Sequence, residues 1–172
     1  MVSPVTFAGP PLADHAQAGN AALLGPARLA RLVRDVVDAG EWQSAVMFRA
    51  SRHWFHRLEL TESFEIWVLA WLPGQHTGFH DHGDAAGAFA VVQGELRERL
   101  ARPGSRDVHA RTAWQGKMTS FGRQHLHDVG NDSAAPAVSV HAYSPPLTAM
   151  RRYDMTASGL TLVGTDLAEE DW

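Results

Sequence analysis

His80 and His82, in the run Gly78-Phe79-His80-Asp81-His82-Gly83, are residues whose type and spacing could do chemistry. In an extended strand side chains alternate faces, so two imidazoles one residue apart point the same way and can chelate a transition metal. Taken alone, so short a motif is better read as two polar side chains on a solvated strand face. A metal needs a further protein ligand from another strand. The run Gly122-Arg123-Gln124-His125-Leu126-His127-Asp128-Val129-Gly130-Asn131 offers two, His125 and His127, on one face of a short strand between turn residues. Downstream, Ser139, His141 and Tyr143 share one strand face, while Val138, Val140 and Ala142 share the other, so both faces are expected inside. A buried hydroxyl, imidazole and phenol require partners, and a mutual hydrogen-bond relay would supply them. Such a relay is either a satisfied polar core cluster or part of a catalytic site.

The elements that must position these groups follow from periodicity. Residues 1–24 carry Pro4, Pro10 and Pro11 and lack a strong period, which suggests a loose arm with a possible short helix around Asp14–Leu24. Pro26 opens a clear helix whose stripe is Leu29, Leu32, Val33, Val36 and Val37, and Gly40 ends it. From Glu41 onward helical spacing gives way to short β-rich runs between Gly, Pro, Asp and Asn turns. The predicted strands are Ala45–Arg49, Trp54–Leu60, Phe64–Leu72, Gly78–His82, Ala86–Gln93, Glu95–Ala101, Asp107–Thr112, Met118–Phe121, His127–Val129, Ala137–Tyr143 and Met150–Met155. That pattern points to an all-β sandwich, jelly roll or small barrel. Residues 1–40 form the arm and helix, residues 41–172 the barrel, and the acidic tail Asp166–Trp172 is expected to fray.

Composition removes several function classes. Hydrophobic residues are 45% and charged residues 20% of the 172, as in an ordinary globular domain. A net charge of −4 argues against nucleic-acid and membrane-surface partners. With 0 Cys, disulfides, thiolate metal sites and a Cys nucleophile are excluded. Met1 to Asp14 shows no basic region followed by an apolar run, and no apolar stretch reaches transmembrane length, so a cytoplasmic protein is expected, and a monomer. The 10 His leave room for a metal site.

Glycines turn the histidines into a recognisable pattern. Gly74, then His80-x-His82, then Gly94 resembles the first motif of the cupin superfamily; Gly116, Gly122, Gln124, His127 and Asn131 resemble the second. The resemblance implies an all-β cupin jelly-roll barrel with the N-terminal helices packed outside, and it favours His127 over His125 as the further ligand. Many cupins place a metal-binding Glu between the second His and the closing Gly, and here Gly87 stands there. Ser139-x-His141-x-Tyr143, followed by Ser144-Pro145-Pro146, is similar to the thiol dioxygenases, and to the bacterial-type cysteine dioxygenase family in particular.

That family resemblance implies Fe(2+) held by His80, His82 and His127, a Tyr143 ordered by His141 and Ser139, and Arg57 binding the substrate carboxylate. Three neutral imidazoles leave the dipositive charge uncompensated, which favours an anionic thiolate. The implied reaction adds both atoms of O2 to the sulfur of L-cysteine, giving cysteine sulfinate. Family members preferring 3-mercaptopropionate tend to carry Gln at the place of Arg57. Mammalian-type members have a Cys at the place of Gly87 cross-linked to the Tyr, so Tyr143 is expected unmodified. A cis peptide is implied at Ser144-Pro145. The alternatives are another small thiol, such as 3-mercaptopropionate, cysteamine or a thiol-bearing histidine derivative, and a metal-binding cupin without O2 chemistry. Asp81 and Asp128 are candidate partners behind the ligands. His53, His56, His76, His109 and His125 are expected on the surface or in loops rather than as ligands, and Phe55, Trp67, Trp71, Phe79, Phe89 and Met155 in the core or the pocket wall.

Overall fold

The computed structural model describes residues 22–167. Helix α1 (Pro26–Ala39) starts on Pro26 and stops at Gly40, whose φ of 74° is the left-handed conformation glycine adopts without penalty. A short 3₁₀ turn (Glu41–Ala45) follows, and residues 46–49, predicted with Ala45 as a strand, join neither sheet. Met47 and Phe48 are exposed, so that run has no face to bury against a sheet, while Trp42 just before it is buried beside α1 with its Nε1–H donating to Val37 O at 3.3 Å.

The strands are β1 (Trp54–Leu60), β2 (Glu65–Trp71), β3 (Phe79–His80), β4 (Ala86–Gln93), β5 (Glu95–Leu100), β6 (His109–Trp114), β7 (Met118–Phe121), β8 (His127–Gly130), β9 (Ala137–Ser144), β10 (Ala149–Thr156) and β11 (Gly159–Leu167). They form two antiparallel sheets, a 5-stranded one ordered β1-β2-β9-β4-β7 and a 6-stranded one ordered β11-β10-β3-β8-β5-β6. Strand β3 is shorter than predicted because the chain turns at His82, whose carbonyl accepts from Ala85 N–H at 3.1 Å. Strand β11 is absent from the predicted set. Leu162, Val163 and Leu167 are exposed there, so no alternating pattern marks it. The proposed helix around Asp14–Leu24 lies mostly outside the described residues; of the tail Asp166–Trp172, expected to fray, Asp166 and Leu167 instead pair with Met150 and Ala149 in β11, and the rest lies outside the described residues.

Alternation decides what each face of the 5-stranded sheet does. Ile66, Val68 and Ala70 of β2, Ala86, Ala88 and Ala90 of β4, and Val138, Val140 and Ala142 of β9 pack with Leu29 and Val33 of α1. The small alanines let the helix lie close, and each of those two helix side chains contributes roughly 1.5–3 kcal/mol on full burial. The opposite positions, including Trp71, Phe89, Val91 and Tyr143, meet Leu96, Ala113, Val129 and Met150 of the second sheet to form the inner core. Ser139 and His141 belong to this inner face, which is why polar groups on β9 sit inside. Gly94 makes the tight β4–β5 connection at φ 70°, and a Cβ there would come within 2.7 Å of Pro136 O. Among the described residues no helix is long and apolar enough to cross a membrane.

Candidate active site

His80 on β3 and His127 on β8 are direct cross-strand partners, and His82 follows in the turn after β3. Their ring centroids lie 4.8 Å (His80–His127), 4.9 Å (His80–His82) and 5.0 Å (His82–His127) apart. One nitrogen from each falls within 4.8 Å of the others, a spacing that could hold a metal ion. His80 Nδ1 is 2.9 Å from Gly78 O and His127 Nδ1 is 2.9 Å from Glu98 Oε1, so each is fixed by one ring nitrogen with the other left for coordination. Both nitrogens of His82 are buried without a hydrogen-bond partner among the described residues. A buried imidazole left this way is costly unless something coordinates it. Burial, reinforced by neighbouring imidazoles, pushes His80 and His82 well below the ordinary imidazole range. Burial also lowers His127, with Glu98 pulling in the opposite direction. Neutral imidazoles are the form that ligates, so the donor set fits a divalent transition metal.

Facing them across a small cavity stands β9. Trp71 Nε1–H donates to Ser139 Oγ at 3.0 Å, Ser139 Oγ lies 2.8 Å from His141 Nε2, and His141 Nδ1 lies 3.2 Å from Tyr143 Oη. An indole can only donate, so the serine's own proton goes to His141 Nε2. His141 is then protonated at Nδ1 and donates to Tyr143, whose phenol proton is left for an acceptor in the cavity. This tautomer is assigned from the network. Burial lowers His141 to about 3, so it stays neutral. Burial, with Glu65 adding to it, raises Tyr143 beyond the usual phenol range, so it remains a donor. The Tyr143 ring stacks on His82 at 4.9 Å, bringing the end of the relay against the three-His group.

The cavity is lined by His80, His127, His141 and Tyr143 with Phe55, Trp67, Trp71, His53 and Arg152 among its walls. Its volume of ≈ 60 Å³ suits a small molecule. Arg57 is not among the lining residues. It sits on β1 with 46% of its side chain exposed, 3.7 Å from Glu65 and stacked over Trp67, which does line the cavity. Arg152 is the cation in the wall. It is the β10 cross-strand partner of His80, and its guanidinium is anchored by Asp166 at 2.5 Å and Thr77 O at 3.3 Å. Sequence reasoning missed it because cross-strand pairing is invisible in one chain. His53, expected on the surface, stacks on Trp71 at 4.6 Å, and burial with the Arg152 and Arg52 charges lowers it to about 4.

Behind the ligands the expected partners also change. Asp81 accepts from Tyr153 Oη (2.8 Å), Gly83 N (3.0 Å) and Arg151 Nε, pinning the turn that carries His82 without touching a ring. Asp128 pairs with Thr77 and Arg99. The group that holds a ligand ring is Glu98. The clue was present in Leu96-Arg97-Glu98-Arg99-Leu100, where a Glu occupies the face shared by two leucines. At Gly87 a Cβ would run into the Phe121 ring and lie 3.1 Å from Tyr143 Cδ1, because Phe121 and Tyr143 are its partners on the two flanking strands. Phe121 fills the space a side chain at 87 would need. The Ser144-Pro145 bond is cis, as the resemblance implied. Met155 is exposed, away from the cavity.

The family model for cysteine dioxygenase type I matches residues 27–156. The chain belongs to this family. Cysteine dioxygenase type 1 of Danio rerio is 32% identical over 100 residues, covering 53% of this chain and 50% of that protein. The Homo sapiens cysteine dioxygenase type 1 is 29% identical over 129 residues, covering 68% and 63%. The chain thus matches about half the length of the first of these cysteine dioxygenases. The protein TT1209 from Thermus thermophilus superposes with a TM-score of 0.55 at 19% identity, covering 62% of this chain and 95% of that one. An RmlC-like cupin protein from Desulfovibrio desulfuricans gives 0.50 at 20%, covering 59% and 91%. These structural likenesses place the cysteine dioxygenase family chain in the cupin fold.

Proposed function

We propose that this protein is an iron(II)-dependent thiol dioxygenase that adds both atoms of O2 to the sulfur of L-cysteine. The observation that carries this reading is that His80 and His127 of the three-His group share one small cavity with His141 and Tyr143 of the relay, while His82 stacks on Tyr143. His80, His82 and His127 would hold the iron. Bound there, iron offers open positions for thiolate and O2 and the charge that activates them. Tyr143 holds its proton in the cavity, where it can donate to an oxygen of substrate or product or take part in moving the thiol proton. Arg152 in the wall and Arg57 beside Trp67 supply positive charge for a carboxylate, for which the planar guanidinium suits bidentate pairing. The thiol and O2 together make the sulfinic acid: sulfur is oxidised by four electrons, O2 is reduced by four, and two S–O bonds form.

Other small carboxylate thiols, 3-mercaptopropionate among them, fit the same cationic wall. We further propose that the helix and the barrel act as one structural domain; the arm before residue 22 lies outside the described residues. The test is O2 uptake by protein loaded anaerobically with Fe(II) and then aerated over a panel of L-cysteine, 3-mercaptopropionate and cysteamine. Uptake with sulfinate formation is expected, fastest for L-cysteine. No uptake with any small thiol would overturn the reading, and Zn or Mn at full occupancy without thiol-dependent uptake would favour a cupin of another kind.

A further inference from the structure

Glu98 lies in the middle of β5 with its side chain wholly buried, and its three side-chain partners among the described residues are His127, His125 and Arg111. Its Oε1 accepts from His127 Nδ1–H at 2.9 Å and from His125 Nε2–H at 2.9 Å, and its Oε2 accepts from Arg111 Nε–H at 2.6 Å. Two N–H groups converge on one oxygen, which brings the two imidazole nitrogens to 3.2 Å. His125 is held in turn by stacking on Phe121 at 4.1 Å. The carboxylate therefore fixes the His127 ring plane and its tautomer, and leaves Nε2 with the lone pair.

We infer that Glu98 is a positioning residue of the metal centre: it aims His127 Nε2 at the ion and delivers negative charge to it through that imidazole. Its premise is the three-His metal centre proposed above. Position 87, where a carboxylate ligand would stand, is glycine with Phe121 across the space. The charge missing from the ligand set thus arrives from behind, one residue removed. A carboxylate accepting from a ligating imidazole raises its basicity, and loss of such a partner typically costs 10- to 100-fold in metal affinity. Arg111, with 46% of its side chain exposed, sits on the other oxygen and offsets part of that charge. Glu98, His125 and His127 are themselves close enough to hold an ion, but an ion there would have to replace the two N–H protons that hold both rings on Glu98 Oε1.

The test uses the full chain freed of metal and titrated with Co(II) against a chelator of known affinity, beside the Fe(III)/Fe(II) midpoint potential of the iron-loaded protein. Glu98→Gln keeps an acceptor and removes the charge. It should bind Co(II) about 10- to 100-fold more weakly and shift the potential upward. Arg111→Gln should bind as tightly as the parent or more tightly and shift the potential downward. A purely structural cluster would weaken binding in both variants and give no opposite shifts, which would overturn the inference. So would a second equivalent of Co(II) lost on Glu98→Gln. Should Glu98→Gln fail to fold, Arg111→Gln alone decides: a lowered potential supports the inference and an unchanged one overturns it. If the parent chain binds no Co(II), the metal reading itself fails, and this inference with it.

Discussion

Acidifying the metal-free protein from pH 7 toward pH 4 should unfold it steeply, and the slope can be worked from the site. Burial keeps His80, His82 and His141 neutral in the folded protein, His141 down to about 3, whereas unfolded imidazoles titrate near 6.5. Below 6.5 the unfolded chain takes up protons that the folded one refuses. The stabilisation is therefore complete above that pH and is lost as the pH falls toward the folded values. His141 and His53, held to about 3 and about 4, account for about two protons at pH 5, a slope of about 2.5 kcal/mol per pH unit, and the lowered His80 and His82 add to it. Burial of His127 acts in the same direction. A domain with about 5–15 kcal/mol of total stability cannot withstand that over many units, so the metal-free chain should be unfolded by about pH 4. Urea melts at pH 7, 6 and 5, with and without bound metal, give the slope directly. Bound metal should raise stability at pH 7 and sharpen its loss in acid, since protons compete for the same nitrogens. His141→Gln should reduce the uptake by about one proton. A stability constant to within about 1 kcal/mol between pH 7 and 5, or the same slope in His141→Gln, would refute the reasoning.

Three further outcomes are expected. Tyr143→Phe removes the relay's terminal donor; kcat should fall by about 10²- to 10⁴-fold with KM little changed, measured by initial-rate O2 uptake. Arg152→Gln should raise KM for carboxylate thiols by about 10- to 150-fold, the loss of one charge-assisted hydrogen bond, and leave cysteamine unaffected. Arg57→Gln run alongside tells which guanidinium carries the contact. Gly87→Ala should destabilise the protein by about 1–3 kcal/mol through overpacking against Phe121, read as a lower urea midpoint, and should weaken metal binding because Phe121 also stacks on His82.

Much of the barrel was legible because local patterns and pairing agree. β1, β4 and β7 begin and end where turn residues bracket apolar runs, and α1 follows its 3.6-residue stripe from Pro26 to Gly40. His80, His82, His127 and the Ser139–His141–Tyr143 run lie near one another in the structure because each is tied to a strand whose alternation could be read. What stayed hidden depends on neighbours far along the chain. Arg152 enters the cavity only because β10 pairs with β3, and His53 only because its ring lies on Trp71. Glu98 looked like one charge among several in Glu95-Leu96-Arg97-Glu98-Arg99, and its burial comes from β8 on one side and β6 on the other.

Gly87 and Phe121 together constrain how this centre could change. A carboxylate at 87 needs volume that the Phe121 ring occupies, and a smaller residue at 121 alone leaves a hollow beside His82 and His125. Each substitution made alone carries a packing cost, so the two changes are best made together. Positions 87 and 121 are therefore coupled, and the effects of substituting them should be non-additive.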